Sequence, residues 1–139
     1  MFERCLYFNT QNLARTVNRI WTEAFKPYDL SPAHAYLLRL VLAEPGLLQR
    51  DIALQLGLSK STVTRFIDSL ESRGFLTRKV SNKDGRESAI YPARKAMAIQ
   101  KQLEATGAKL YQRMLSVLGE EVMASSVKQQ RKIRDILEE

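Results

Sequence analysis

The chain contains 139 residues, of which 45% are hydrophobic and 27% are charged, a composition typical of one globular domain. Its formal net charge at pH 7 is +7, and a strongly basic domain is typical of proteins that bind nucleic acids. A single cysteine, Cys5, excludes an internal disulfide and a cysteine-rich zinc site, and no apolar run approaches the roughly 18 residues of a membrane-spanning helix. We therefore expect a cytoplasmic protein with no bound metal or cofactor and no membrane partner.

The positive charge is concentrated in the middle third of the chain. From Gln49 to Lys95 there are ten lysines and arginines and five aspartates and glutamates, a net charge of +5, whereas the segments on either side contribute +1 each. A charge that served only solubility would be spread over the whole sequence. The concentration favours a defined basic surface that attracts a polyanion.

The first part of the chain has the apolar spacing of helices. Apolar residues recur at helical intervals over about residues 6–25, and Pro27 ends this pattern. Ser31 is a typical N-cap, and Pro32 behind it suits the first position of a helix. Residues 33–44 are predicted as the second helix, and as a buried one, because they are apolar on nearly every side.

Two short helices joined by a three-residue turn are predicted next. Residues 49–56 have the spacing of a short helix, and Gly57 can adopt the left-handed conformation that ends one. Ser59 is a typical N-cap for the following helix. The inward positions of that helix are predicted to be Val63, Phe66, Ile67 and Leu70. This arrangement is typical of the helix-turn-helix, whose second helix enters the DNA major groove.

The pattern then changes to that of strands. Residues 75–80 and 88–91 are predicted strands around a polar loop containing Asp-Gly, which indicates a β-hairpin, or wing. Helical spacing resumes after Pro92, a candidate first helical residue. Gly119 interrupts this spacing, and a last helix is predicted over about residues 120–137. The predicted fold is therefore mainly α with a small β-hairpin wing.

The exposed side of the second helix of the pair is rich in hydroxyl groups and cations. Short hydroxyl side chains let a helix lie deep in the groove, a threonine methyl can contact a thymine methyl, and cations bind phosphate. Arg65 can also read guanine through two hydrogen bonds. The alternative is that these residues only cap the helix or are solvated. The predicted DNA contacts here are Lys60, Ser61, Thr62, Thr64 and Arg65, with Arg78 on the basic strand.

The tip of the wing supplies three further predicted contacts, Lys83, Asp84 and Arg86. Arg86 can enter a minor groove, where a narrow A·T tract concentrates negative potential. Asp84 repels phosphate, so its expected role is to orient a neighbouring arginine or to hold the loop. An ordinary solvated turn is the alternative for these residues.

These motifs together resemble a known family. Residues 46–91, GLLQRDIALQLGLSKSTVTRFIDSLESRGFLTRKVSNKDGRESAIY, are similar to the DNA-binding lobe of the MarR family of transcriptional regulators. The family pattern falls on the turn at residues 57–59, STVTR at 61–65, LESRG at 70–74 and the D-x-R wing at 84–86. The flanking helices extend the resemblance over essentially the whole chain. One departure is that residues 91–96 lack the Leu-Thr-x-x-Gly that usually follows the wing.

The resemblance implies one domain over residues 1–139 that acts as a homodimer. The winged-helix lobe would cover about residues 31–92, and the dimer would form through helices at about 1–26 and 93–139. Such a dimer would repress transcription from a pseudo-palindromic operator on double-stranded DNA. Members of the family commonly release DNA when a small aromatic or anionic effector binds. The candidate effector contacts are Trp21, His34, Tyr36 and Arg39, for which ordinary core packing is the alternative.

Cys5 has two interpretations. The family includes peroxide sensors with a reactive cysteine in the N-terminal helix followed by aromatic residues, and CLYF at residues 5–8 is similar. Those sensors also use tyrosines in the following helices, and Tyr7, Tyr28 and Tyr36 are out of register with them. Reactivity requires an accessible thiol with a lowered pKa, so a buried structural cysteine is the default expectation.

Two other classes of function compete with DNA binding. An enzyme is disfavoured, because the one histidine has no catalytic partner in sequence and no phosphate loop or metal-ligand spacing is present. A winged-helix module that binds protein is the second rival. Such a module has no reason to concentrate positive charge on the second helix and the wing.

Overall fold

The computed structural model describes residues 1–81 and 87–139, which are mainly helical with a small antiparallel sheet. The helices are α1 (Leu6–Phe25), α2 (Pro32–Ala43), α3 (Gln49–Leu56), α4 (Lys60–Ser72), α5 (Arg94–Leu118) and α6 (Glu120–Leu137). The strands are β1 (Leu47–Leu48), β2 (Leu76–Val80) and β3 (Ser88–Pro92), and a short 3-10 turn follows α1. The predicted winged helix-turn-helix is confirmed.

The predicted caps around the helix pair are confirmed. Ser31 caps α2 by accepting a backbone hydrogen bond on Oγ, and Pro32 is the first residue of that helix. Gly57 ends α3 with a φ of +65°, in the left-handed region. Ser59 Oγ accepts a hydrogen bond from the Thr62 amide at 3.2 Å and so caps α4. Residues 57–59 are therefore the turn between α3 and α4.

The sheet contains one more strand than the predicted hairpin. β3 is central, with β1 on one side and β2 on the other, and both pairings are antiparallel. β1 was not predicted, because two leucines are too short to show an alternating pattern. Gly46 leads into it with a φ of +93°, and its amide donates to the Ile90 carbonyl at 2.8 Å. A Cβ at Gly46 would lie 3.2 Å from Tyr91 Oη, so the approach to the sheet is tight.

Pro92 does not begin α5, so that prediction is wrong. Pro92 is the last residue of β3, opposite Leu76, and α5 begins at Arg94. The amide of Ala93 donates to the Phe75 carbonyl at 2.8 Å. This hydrogen bond keeps the chain in the sheet up to the residue before the helix.

The described residues form two compact units, Met1–Glu104 and Ala105–Glu139. In the first unit α2 packs against β3, and α4 packs against α3 and β2. Fully buried apolar side chains form its core, and they include Phe25, Leu37, Leu38, Ile52, Ile67, Leu70, Leu76 and Ile90. α4 is fixed through its apolar side, so its polar side is available to a partner.

Two predictions of burial are wrong in detail. α2 is not buried on every side, because Tyr36 is 38% exposed. Phe66 was predicted to be in the core but is half-buried, and its ring packs edge-on against His34 with centroids 4.5 Å apart. Periodicity identifies the inward side of a helix, but it cannot separate the centre of a core from its margin.

The second unit contains the end of α5 and the whole of α6. Gly119 joins the two helices with a φ of +83°, in the left-handed region. The predicted interruption of the helical pattern at this residue is confirmed. Large apolar side chains of this unit are exposed: Tyr111, Val117, Leu118, Val122, Val127, Ile136 and Leu137. No helix in the described ranges is long and apolar enough to cross a membrane.

Candidate nucleic-acid interface

The start of α4 carries a cluster of hydroxyl groups. Ser59 Oγ donates to Thr62 Oγ1 at 2.8 Å and lies 3.2 Å from Ser61 Oγ. Thr62 is half-buried, whereas Ser61 is exposed. The cap therefore occupies part of the hydrogen-bonding capacity of both predicted contact residues, and Ser61 is the more accessible of the two.

The hydroxyl group of Thr64 has two partners. It donates to the Lys60 carbonyl one turn earlier at 3.0 Å, and it accepts from Gln49 Nε2 at 2.9 Å. The second hydrogen bond joins the first residue of α3 to α4. Thr64 is nevertheless exposed, so its side chain forms part of the surface that α4 presents.

Two cations of α4, Lys60 and Arg65, are exposed. Neither side chain has an ion-pair partner within residues 1–81 and 87–139. The first turn of α4 also lacks an acidic residue, and the N-terminus of a helix carries a partial positive charge. This end of α4 is therefore an uncompensated positive surface, suited to phosphate.

A groove of about 190 Å³ lies between the starts of α3, α4 and β3. It is lined by Gln49, Arg50, Lys60, Thr64, Glu87 and Ser88. Arg50 Nε lies 3.5 Å from Glu87 Oε2, and that buried oxygen has no hydrogen bond within the described part of the chain. The ion pair joins the start of α3 to the first residue after the wing tip.

Sequence reasoning missed the groove residues Gln49, Arg50 and Glu87. The first two left a usable signal. A helix start favours a hydroxyl cap and acidic residues; α3 has Asp51 in its first turn, but its N-cap is Leu48, which has no hydroxyl, and Arg50 places a cation in the same turn. A cation placed against the helix dipole indicates another purpose for Arg50.

Arg78, predicted as a DNA contact, pairs with two carboxylates of α4. Its Nη1 donates to Glu71 Oε1 at 2.7 Å, and its Nη2 donates to Asp68 Oδ1. The Arg78 side chain is 25% exposed. These ion pairs compensate its charge and tie β2 to α4, a role that the sequence did not predict.

The rest of the wing prediction falls outside the described residues. Lys83, Asp84 and Arg86 lie between the two described ranges. On the strand before them, Lys79 Nζ lies 4.7 Å from the centroid of the Tyr91 ring. Lys79 is thus a cation of β2 that the sequence did not select.

Three of the four candidate effector contacts lie together. Trp21 Nε1 donates to Tyr36 Oη at 3.0 Å, and the Arg39 guanidinium lies 4.9 Å from the Tyr36 ring centroid. Arg39 also donates two hydrogen bonds of 3.1 Å to Glu104. The Glu104 carboxylate raises the pKa of Arg39, and the same hydrogen bonds lower the pKa of Glu104. The guanidinium is held as a cation beside the Tyr36 ring.

His34 has different neighbours. Its Nδ1 lies 3.0 Å from Ser31 Oγ, and its ring packs against Phe66 of α4. Burial lowers the pKa of His34, and the charge of Arg73 lowers it further. These contacts give His34 a packing role between α2 and α4.

Cys5 is exposed, so the default expectation of a buried structural cysteine is wrong. Cys5 occupies the N-cap position of α1, where its side chain makes no capping hydrogen bond. Its carbonyl oxygen accepts a hydrogen bond from Asn9 Nδ2 at 2.7 Å. The neighbouring Phe2 and Phe8 rings pack with centroids 5.1 Å apart.

The sequence is similar to those of known transcriptional regulators. The sequence model of the MarR family matches residues 28–87. The HTH-type transcriptional regulator YybA of Bacillus subtilis is 24% identical over 95 residues, which are 68% of this chain. The alignment spans 63% of the length of that curated relative.

Two solved structures show the extent of the shared fold. The PcaV transcriptional regulator from Streptomyces coelicolor, in complex with its natural ligand, superposes with a TM-score of 0.85 at 24% identity, over 97% of this chain and 95% of that one. The S. aureus MepR–DNA complex gives a TM-score of 0.83 at 20% identity, over 97% and 99% of the two chains. At these identities the similarity establishes the fold over nearly the whole chain. The family match at residues 28–87 contains α2, the helix pair and the first wing strand, β2, so this part of the chain is similar to the MarR family of transcriptional regulators.

Proposed function

We propose that this protein binds double-stranded DNA, with the start of α4 in the major groove, and regulates transcription in the cytoplasm. The observation that carries the proposal is the exposed end of α4, where Lys60 and Arg65 have no ion-pair partner among the described residues. Apolar side chains fix the opposite side of α4 in the core. Lys60 and Arg65 supply phosphate or guanine contacts, and Ser61, Thr62 and Thr64 lie against the groove.

The remaining proposed DNA contacts have different roles. Arg50, on the groove beside α4, is added as a phosphate contact. Arg78 acts first through its ion pairs with α4 and contacts DNA only secondarily. Lys83, Asp84 and Arg86 remain the proposed wing-tip contacts, with Arg86 in a minor groove.

The proposal includes a homodimer formed through the terminal helices. Leu6, Leu13 and Val17 of α1 are 55%, 52% and 37% exposed, and α6 exposes a comparable apolar row. Exposed apolar surface of this extent supports an interface. A two-fold dimer reads two half-sites about one helical turn apart, so the operator is a pseudo-palindrome.

We further propose that the regulator is a repressor released by a small aromatic or anionic effector. Trp21 and Tyr36 offer ring surfaces, and Arg39 offers a cation whose present partner, Glu104, is half-exposed. An anionic ligand can replace that carboxylate. The PcaV structure holds a natural ligand, which supports an effector here by likeness of fold.

A redox-responsive variant of this function is the second candidate, and the exposure of Cys5 favours it. An organic peroxide should then release DNA from the parent and leave the Cys5→Ser variant bound. Equal release from both proteins excludes the cysteine as the sensor.

Salt dependence of binding tests the proposed function itself. Duplexes are selected from a random pool, and the Kd of the selected duplex is measured at several salt concentrations. For a DNA-binding protein, the logarithm of the binding constant should fall linearly with the logarithm of the salt concentration, because each neutralised phosphate releases counterions. Selection of no duplex, or a Kd independent of salt, would leave a protein-binding winged helix as the better description.

A further inference from the structure

We propose that Thr64 reads a thymine base through its methyl group, and that Gln49 holds it in the conformation that does so. The proposal rests on the proposed insertion of α4 into the major groove. It concerns the specificity of that contact.

The hydroxyl group of Thr64 has little capacity left for a base. A hydroxyl offers one donated hydrogen and two acceptor lone pairs. The hydrogen is used on the Lys60 carbonyl, and Gln49 Nε2 occupies one lone pair. Thr64 can therefore donate nothing to a base, and it retains one lone pair.

Gln49 restricts the Thr64 side chain to one rotamer, so that its hydroxyl cannot turn toward a base. A threonine in a helix divides between two χ1 rotamers, because its hydroxyl can bond to the carbonyl one turn earlier. The hydrogen bond of 2.9 Å from Gln49 selects the rotamer bonded to Lys60. The hydroxyl is thus bonded within the protein on its hydrogen and on one lone pair, and the methyl group is the part of this exposed side chain that these bonds leave unused.

A methyl group in the major groove distinguishes one base from the other three. Thymine alone carries a C5-methyl group there, and a threonine methyl is a suitable apolar contact for it. The neighbouring Lys60 and Arg65 are charged and serve phosphate or guanine. Thr64 therefore brings an apolar group to the exposed polar face of α4.

Two matched substitutions separate the methyl from the hydroxyl. Thr64→Val keeps a methyl and removes the hydroxyl, whereas Thr64→Ser keeps the hydroxyl and removes the methyl. Duplexes selected from a random pool by the parent and by Thr64→Val should share a thymine at one position of each half-site. Duplexes selected by Thr64→Ser should lose that preference and keep the rest of the site.

Replacing that thymine by uracil removes the same methyl from the DNA. The affinity of the parent and of Thr64→Val should fall about fourfold, the scale of one apolar methyl contact, and that of Thr64→Ser should not change. Gln49→Met removes the donor at similar length. It should reduce the uracil penalty by freeing the rotamer, which a purely structural role of Gln49 would not do.

The outcomes separately test DNA binding, the methyl contact of Thr64 and the role of Gln49. No selection by the parent refutes the proposed DNA binding itself. Selection without a thymine in the half-site, or loss of the preference in Thr64→Val with its retention in Thr64→Ser, overturns the methyl contact. A full uracil penalty in Gln49→Met overturns the part assigned to Gln49. Circular dichroism melting of each variant verifies that it is folded.

Discussion

Single alanine substitutions of Arg65 and Arg78 should separate a DNA contact from a tether of the wing. Arg65 is exposed on α4 and has no ion-pair partner in the described ranges, whereas Arg78 on β2 pairs with Glu71 and Asp68. The two residues have the same charge, so the comparison isolates their surroundings. Arg131→Ala, which removes an exposed arginine from α6, controls for the change in net charge.

Arg65→Ala is expected to affect DNA affinity, and Arg78→Ala is expected to affect mainly stability. Arg65→Ala should change the free energy of unfolding by less than about 0.5 kcal/mol. It should weaken specific DNA binding by about 1–3 kcal/mol, or roughly 5- to 150-fold in Kd. For Arg78, the carboxylates of Glu71 and Asp68 are 40% and 57% exposed, which screens both pairs. Arg78→Ala should therefore cost only about 1–2 kcal/mol of stability, partly because it leaves two like charges one turn apart.

Thermal melting and fluorescence anisotropy on the selected duplex measure the two effects. Arg78→Ala should lower the Tm by about 2–6 °C and raise the Kd less than Arg65→Ala does. A parent-like Tm in Arg78→Ala, with a loss of affinity as large as that of Arg65→Ala, would make Arg78 a direct contact. A parent-like Kd in Arg65→Ala would refute the placement of α4 in the groove.

Three further predictions concern the turn, pH and the dimer. Gly57→Ala should cost about 1–2 kcal/mol in chemical denaturation from the left-handed backbone alone, since no neighbouring atom of residues 1–81 and 87–139 lies within 4 Å of the added Cβ. Burial and Arg73 lower the pKa of His34, so the unfolded chain binds its proton first and stability should fall as pH drops below about 6.5. His34→Gln should reduce this dependence of stability on pH. An unchanged dependence would mean that another group causes it. Leu13→Glu should shift sedimentation from dimer to monomer and weaken operator binding, whereas Gln11→Glu on the same helix should do neither.

The end of α3 and the start of α4 could be predicted because single residues determine them locally. Gly57 and Ser59 each require a backbone conformation that ends or begins a helix, and both lie where the sequence placed them. Gly119 does the same between the last two helices. β1 could not be predicted, because its pairing with β3 depends on contacts across more than 40 residues, as between Leu47 and Ile90.

The polar, exposed side of α4 could be predicted from the sequence, but its hydrogen bonding could not. The sequence selected the polar side of α4 because the core uses the other side. It could not indicate that Gln49 reaches Thr64, which lies fifteen residues further along the chain. It likewise treated Arg78 as a free cation, since the pairing with Asp68 and Glu71 requires β2 to pack on α4.

The bonding at the start of α4 implies that affinity and specificity have different physical sources. The hydroxyls of Ser59 and Thr62 bond to each other, and that of Thr64 is held by Lys60 and Gln49. Under the proposed DNA binding, few neutral donors remain for bases, so the cations should supply most of the affinity, and that part should weaken with salt. A methyl contact carries no charge. Raising the salt concentration should therefore weaken binding to every duplex, while the ratio of Kd between uracil and thymine at the Thr64 position stays constant. A ratio that falls toward one as salt rises would mean that the base is read through charge.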